Sequence, residues 1–410
     1  MARKFDIPGI YQSPIIRKIK QQRQVLDPRK KDLQPTVVDF GSIRFLIPRH
    51  FGFCYGVQNA VDIAYRTLEE QAGKNIYLLS EMIHNPDVND DLQSKGVKFL
   101  YETSGEPIIP LDSLSSDDVV IVPAFGTTLE IQKQLEDQGI NPYAYDTTCP
   151  FVEKVWKRGS QLGKKGYSLV IHGKYRHEET RATFSHAIKG SAAVVVLNVE
   201  EAELLADFML EKRPIEEFDQ HFGMKCSDGF DPRTDLEFFG VINQTTMLAT
   251  ETKDVMGVLK SAAREKYGDE NVGKHFADTS DTLCYATNEN QSATLALRTE
   301  AADLAIVVGG YNSSNTMHIV ELLEQAFPTY HIKNATEIDG KASISHFNQW
   351  KKEILTTANW LPEREEALTI AITSGASCPD SLVDEVIMKL CELAGDTRTL
   401  EEAMAPFEEA

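Results

Sequence analysis

Short apolar runs recur along the chain, each followed by a polar turn and then by apolar residues at helical spacing. Residues 43–48 form the first run, and Val57, Ala60, Val61, Ala64 and Leu68 follow at the spacing of an amphipathic helix. Runs at 75–80, 118–124, 167–171, 193–197, 238–243, 304–308 and 368–373 predict further strands. Helices are expected from about Leu129, over 317–326 and over 381–393. Strand, Gly/Ser/Thr/Asn turn, helix is the signature of βα units, so the fold class is α/β with largely parallel sheets. Residues 1–40 have little periodicity and read as an extended arm. Residues 205–236 are polar and acidic, contain Gly229 and Pro232, and read as an inserted surface excursion. From Glu401 the tail is acidic and is expected to fray.

Three cysteines interrupt this pattern in similar settings. Cys149 lies in Asp146-Thr147-Thr148-Cys149-Pro150, just before the amphipathic run Val152 to Trp156. Thr148 is suited to cap a helix there, and Pro150 to occupy its first position. A thiol at a helix N-terminus feels the positive end of the dipole, which favours the thiolate. Cys54, in Gly52-Phe53-Cys54-Tyr55-Gly56, and Cys284, in Leu283-Cys284-Tyr285-Ala286, also stand at the heads of expected helices. Their wide spacing excludes the short Cys-x-x-Cys pattern of zinc fingers and ribbons. Three thiolates from distant helix starts can converge on a metal centre and leave one coordination position open. The alternative for each is an inert core thiol. Cys226, Cys378 and Cys391 are assigned to the excursion, a turn and a helix core.

Composition narrows the function classes. With 42% hydrophobic and 25% charged residues, the 410-residue chain has an ordinary globular balance. A net charge of −20 repels phosphate backbones and argues against a nucleic-acid partner. No apolar run is long enough to span a membrane, and the N-terminus lacks a secretory pattern. Six cysteines without an export signal fit reduced thiols in a bacterial cytoplasm; a plastid stroma is the other compartment weighed. Against the acidic background, residues 17–31 hold seven cationic side chains and one acidic one.

The expected strand ends carry His84, His177, Glu179, Thr245, Ser313, Ser314, Asn315 and Ser377. In open α/β sheets ligands bind beyond such ends. Asn312-Ser313-Ser314-Asn315 and Gly375-Ala376-Ser377 each precede a helix, where N–H groups and hydroxyls can cradle a diphosphate; plain capping is the alternative. No Gly-Lys-Ser/Thr follows, so neither is a P-loop. His84 and His177 can bind an anion. Glu179 suits a proton donor, because a carboxyl enclosed with an anion has a raised pKa; Glu178 beside it reads as a solvated charge. Thr245 can relay a hydrogen bond from a substrate hydroxyl. An iron–sulfur cluster on three cysteines would leave one iron open to act as a Lewis acid while the cluster delivers electrons.

Gly-Phe-Cys54-Tyr-Gly-Val, His84-Asn85, Asp-Thr-Thr-Cys149-Pro, His177-Glu-Glu179, Gln-Thr245-Thr, Cys284-Tyr-Ala-Thr-Asn, Asn-Ser313-Ser314-Asn315 and Gly-Ala-Ser377 occur in that order. Together they resemble the LytB-type family of 4-hydroxy-3-methylbut-2-enyl diphosphate reductases over roughly residues 42–395. The resemblance implies a three-lobed trefoil of pseudo-equivalent α/β domains around a central 4Fe-4S cluster held by Cys54, Cys149 and Cys284. It implies a two-electron, two-proton reductive dehydroxylation that yields isopentenyl and dimethylallyl diphosphates. His84, His177, Ser313, Ser314, Asn315 and Ser377 would bind the diphosphate, Glu179 would donate the proton, and Thr245 would contact the hydroxyl region. The corresponding layout is an arm at 1–41, lobes at 42–145, 146–275 and 276–395, the insertion 205–236 within the second lobe, and a tail at 396–410. Shorter bacterial members place a further histidine where Phe125 stands, and a phenyl ring cannot bond a phosphate. The arm, the excursion and residues 338–366 are also extra, as in the longer branch of cyanobacteria and plastids.

Two other function classes remain open on the residues alone. One is a cysteine hydrolase with Cys149 as nucleophile, His177 as base and Glu179 as orienter. The other is a zinc-stabilised binding protein. For the reductase, the family's usual electron donors are ferredoxin and flavodoxin. Both tend to be acidic, so a local basic docking patch is expected, with the N-terminal arm as a candidate.

Overall fold

The computed structural model describes residues 5, 7–279, 282–364 and 366–407. The chain folds as two compact units: Met1–Asp62, Ile83–Asp90 and Tyr285–Ala410 make the first, and Ile63–Met82 with Asp91–Cys284 the second.

In the first unit, a five-stranded sheet runs in the order Thr36–Asp39, Ile43–Ile47, Leu368–Ser374, Leu304–Val308, Thr329–Ile332. The first pair is antiparallel and all other pairs are parallel. Every residue of Leu304–Val308 is buried, which is why this central strand is an unbroken apolar run rather than an alternating one. The register pairs Val308 with both Ser374 and Ile332, so the turns leaving these strands emerge side by side. Residues 338–358 add a separate antiparallel sheet of Ile338–Asp339, Ser343–Asn348 and Glu353–Ala358.

The second unit holds two parallel sheets. One is Lys98–Phe99, Ile76–Leu78, Val119–Ile121; the other is Ala193–Val196, Ser168–His172, Phe239–Asn243, Phe276–Ala277. His172 pairs with Asn243, which again aligns two strand ends and the turns that follow them. The α/β class with parallel sheets is thus as expected.

Several expectations are corrected. The strand at 43–47 pairs with Leu368–Ser374, so it belongs to the C-terminal sheet and not with residues 76–121. Phe276–Ala277 closes the sheet of residues 168–243 and does not open a third lobe. The N-terminal segment is not an extended arm. It contains the helix Pro14–Leu26, whose N-cap Ser13 accepts from Ile16 N–H and whose Ile15, Ile16 and Ile19 join the first unit's core. The excursion at 205–236 is core: Leu205, Phe208, Met209, Phe218, Phe222, Phe230 and Leu236 pack with Val255 and Leu259. The tail folds as Leu400–Met404 with a Thr399/Glu402 capping box, and Ala403 and Met404 are buried. Residues 1–4, 6 and 408–410 of the expected arm and tail lie outside the described residues. Among those described, no helix is long and apolar enough to cross a membrane.

Candidate functional site

Each of the three cysteines is the residue immediately before a helix: Tyr55–Glu70, Pro150–Gly163 and Tyr285–Leu297. All three are half-buried. Thr148 does not cap, contrary to the sequence reading; Cys149 itself is the N-cap and Pro150 is the first helical residue. Thr148 instead gives its N–H (2.8 Å) and its hydroxyl (2.5 Å) to one oxygen of Asp146. Thr147 Oγ1 donates to Val122 O at 2.6 Å, and Cys149 N–H to Ala124 O at 2.9 Å. These bonds lay the cysteine loop along the end of the strand Val119–Ile121. Burial holds the Asp146 carboxyl above its ordinary range, with the two Thr148 bonds opposing that shift. Cys54 is tied down similarly, its N–H donating to Ala376 O at 3.2 Å. Among the described residues no three His, Cys, Asp or Glu side chains gather as ligands of a single metal ion.

In the first unit, the aligned strand ends bring four expected ligands together. Ser313 caps the helix Ser314–Glu324 by accepting from Thr316 N–H. Ser377 Oγ donates to His84 O at 3.1 Å and lies 3.5 Å from Ser313 Oγ. Gly310 approaches the same carbonyl so closely that a Cβ there would stand 2.4 Å from it. The His84 backbone is therefore wedged between the turns after Leu304–Val308 and Leu368–Ser374. Asn315 Oδ1 accepts from Ala376 N–H at 2.8 Å, so Ala376 links the Asn315 amide to the Cys54 backbone. Asn315 is 2% exposed, and its Nδ2 is a buried donor without a hydrogen-bond partner among the described residues. Such a group is costly unless something accepts from it, and a phosphate oxygen fits that need. Ser314 is buried at the first position of the same helix, where N–H groups favour an anion.

In the second unit, the aligned ends of Ser168–His172 and Phe239–Asn243 join Glu179 to Thr245. Glu179 is 1% exposed. Its Oε2 accepts from Thr245 Oγ1 at 2.9 Å and its Oε1 from Thr245 N–H at 2.5 Å. His177 is the N-cap of the helix Glu178–Ile188, its Nδ1 accepting from Glu179 N–H at 3.2 Å. That bond requires an unprotonated Nδ1, so the neutral ring carries its proton on Nε2 as a donor. Glu178 is buried, not solvated as expected, because it opens the same helix.

Two residues support the site in ways the sequence did not indicate. Gln244 Oε1 accepts from Lys174 N–H (3.1 Å) and Thr180 Oγ1 (3.0 Å), clamping the His177 turn to the Thr245 turn. Nothing but its place beside Thr245 marks it. Phe125 meets the His177 ring edge-on, with centroids 5.6 Å apart at 87°. The residue read as a lost phosphate ligand is thus a wall for the histidine that remains.

The family model described as LytB protein matches residues 45–391. The 4-hydroxy-3-methylbut-2-enyl diphosphate reductase of Gloeobacter violaceus is 39% identical over 95% of this chain and 89% of its own length. The Rippkaea orientalis protein of the same name is 41% identical over 85% of this chain and 84% of its own. A solved structure of the E-1-hydroxy-2-methyl-but-2-enyl-4-diphosphate reductase from Plasmodium falciparum superimposes with a TM-score of 0.59 at 22% identity. It covers 82% of this chain and 85% of that one, and shows the likeness of fold. Matched over most of its length by the family model and by these relatives, the chain belongs to the LytB family, a family of iron–sulfur enzymes.

Proposed function

We propose that the chain reduces (E)-4-hydroxy-3-methylbut-2-enyl diphosphate to isopentenyl and dimethylallyl diphosphates, the last step of the methylerythritol phosphate route. The C–O bond to the 4-hydroxyl breaks, a C–H bond forms, and two electrons and two protons are consumed as the hydroxyl leaves as water. The names of the relatives support the substrate. The buried Glu179–Thr245 pair is the observation that carries the chemistry. With Glu179 protonated, the same 2.9 Å contact lets its carboxyl donate to Thr245 Oγ1, whose own proton then points to the departing hydroxyl. The pair moves a proton without moving a heavy atom.

His177, with Nε2–H as donor, and His84 bind the diphosphate in this reading, together with Ser313, Ser314, Asn315 and Ser377. The unpartnered Asn315 amide supports that assignment most directly. Cys54, Cys149 and Cys284 would hold a 4Fe-4S cluster. Their half-buried places at three helix starts suit thiolate ligands. When bound, the cluster supplies electrons and a Lewis-acidic iron for the leaving hydroxyl. Electrons come from an external carrier of ferredoxin or flavodoxin type, and the compartment is the bacterial cytoplasm. The names of the relatives favour this reading over the hydrolase alternative.

Glu179→Gln tests the reading. Protein purified without oxygen is expected to stay brown, with its reduced-state EPR signal and substrate binding intact, while turnover falls by about 10²-fold or more. Turnover near the wild-type rate would remove Glu179 from the proton path. Replacing any one of the three cysteines by serine is expected to lower bound iron per chain; full iron in all three variants would sink the ligand set.

A further inference from the structure

The Cys54 loop opens into a cavity of about 430 Å³ in the first unit. Lys20, Lys30, Arg49, His50, Tyr55, Tyr285 and Glu289 are among the residues that line it. Gln24 in the last turn of the helix Pro14–Leu26 and Lys30 in the loop after it also line the cavity. In that turn Val25 and Leu26 are 63% and 70% exposed, and on the cavity wall Tyr55 and Tyr285 are each 39% exposed. Arg29, Lys30 and Lys31 follow directly, all exposed and without an ion pair among the described residues.

Three of the four nearby acids are engaged by cations. Asp27 faces Arg49 and accepts from Asp32 N–H, Asp32 pairs with Arg23, and Asp380 with Lys20. Glu289 lies 3.4 Å from His50, whose ring is held well below its usual pKa by burial, so Glu289 is the one lining acid that keeps its charge among the described residues. The loop is also held in place. Arg49, 7% exposed, donates to the carbonyls of Arg23 and Asp27, and Arg23 donates to Asp32 O. A preorganised apolar and cationic surface therefore surrounds the mouth of the Cys54 cavity on a chain whose net charge is −20.

We propose that Val25, Leu26, Arg29, Lys30 and Lys31, with Tyr55 and Tyr285, are the docking surface for an acidic one-electron carrier protein. The inference rests on the reductase reading above and adds where the carrier sits. Local charge of the opposite sign steers an acidic partner past the repulsion of the rest of the surface. The exposed aliphatic and aromatic groups supply the contact that excludes water once it arrives. The carrier is thereby placed next to one of the three proposed cluster ligands.

The test uses the loaded enzyme and two electron sources: a plant-type ferredoxin, and reduced methyl viologen, which needs no protein interface. Arg29→Glu, Lys30→Glu and Lys31→Glu in combination are expected to raise the KM for ferredoxin at least tenfold at low salt and to flatten its salt dependence. The viologen-driven rate should stay within twofold. The same charge change at Lys164, Lys165 and Lys189, which are exposed on the second unit, should leave the ferredoxin KM within threefold. An unchanged ferredoxin KM in the first variant overturns the proposal. So does a change of oligomeric state in place of a change in KM, which would make the patch a contact between copies. A wild-type enzyme inactive with viologen would instead strike at the reductase reading itself.

Discussion

At the scale of single residues, the site depends on which atom of a side chain is committed and which is left over. His177 commits Nδ1 to its own helix; Asn315 commits Oδ1 to Ala376, and its buried Nδ2 has no hydrogen-bond partner among the described residues. Sequence reasoning identified both residues from their turns, but not which atoms remain, since that depends on bonds to neighbouring loops. Phe125 shows the limit more sharply. On paper it is a missing histidine; in the structure its edge-to-face contact fixes the His177 ring. An aromatic pair of this kind is worth about 0.5–1.5 kcal/mol beyond area burial. Phe125→Leu is therefore expected to raise the KM for the diphosphate substrate roughly three- to tenfold while kcat changes less. Steady-state kinetics with an artificial reductant would show it, and equal losses in kcat and KM would place the ring elsewhere in the mechanism.

At the scale of elements, the central strands were legible because strands buried on both faces are written as continuous apolar runs. Leu304–Val308 and Phe239–Asn243 are buried at every position. The N-terminal helix was not legible, since Ile15, Ile16 and Ile19 make a narrow stripe among many cations and need the helix Asp380–Ala394 to bury them. Asp384 on that helix accepts from Ser13 Oγ at 2.5 Å, Ile15 N–H at 3.0 Å and Ile16 N–H at 3.2 Å. Burial nonetheless pushes its carboxyl up to about 6, the three bonds pulling the other way. A carboxyl raised on folding binds its proton more tightly in the folded state. Its stabilising contribution is complete below about pH 4, where the unfolded group titrates. It is lost as pH rises through about 6, to the extent of about 3 kcal/mol. Asp384→Asn cannot titrate, so the gap in melting temperature between wild type and variant should move in the variant's favour from pH 4 to pH 7. Parallel pH profiles would exclude Asp384 as the source. The excursion misled for a different reason: its aromatic residues are spaced by charges, and only packing shows that they share one core. Phe222→Ala, at a site 0% exposed, should cost about 3–5 kcal/mol in denaturant unfolding, whereas a surface loop would lose almost nothing.

At the scale of the whole molecule, order along the chain and membership of a sheet part company. Linear reading cut the chain into consecutive lobes, yet Thr36–Asp39 and Ile43–Ile47 complete a sheet whose other strands come from residues 304–374. Pairings between distant segments are the ones a single sequence does not reveal, because each strand carries the same apolar signature whatever its partner. The same arrangement makes truncation a poor probe of the N-terminus. Removing residues 1–40 would strip Ile15, Ile16, Ile19, Val38 and Phe40 from the core. Such a deletion should reduce soluble yield and lower the melting temperature before any effect on electron delivery can be read.

Pairing between opposite ends of the polypeptide also sets a schedule for synthesis. On the ribosome, Ile43–Ile47 has no parallel neighbour until Leu368–Ser374 has left the exit tunnel, and domains otherwise tend to fold as they emerge. Until then the Ala376 carbonyl that anchors the Cys54 backbone does not exist in the nascent chain. On the ligand set proposed above, the Cys54 loop is therefore ready for iron only in a nearly finished protein.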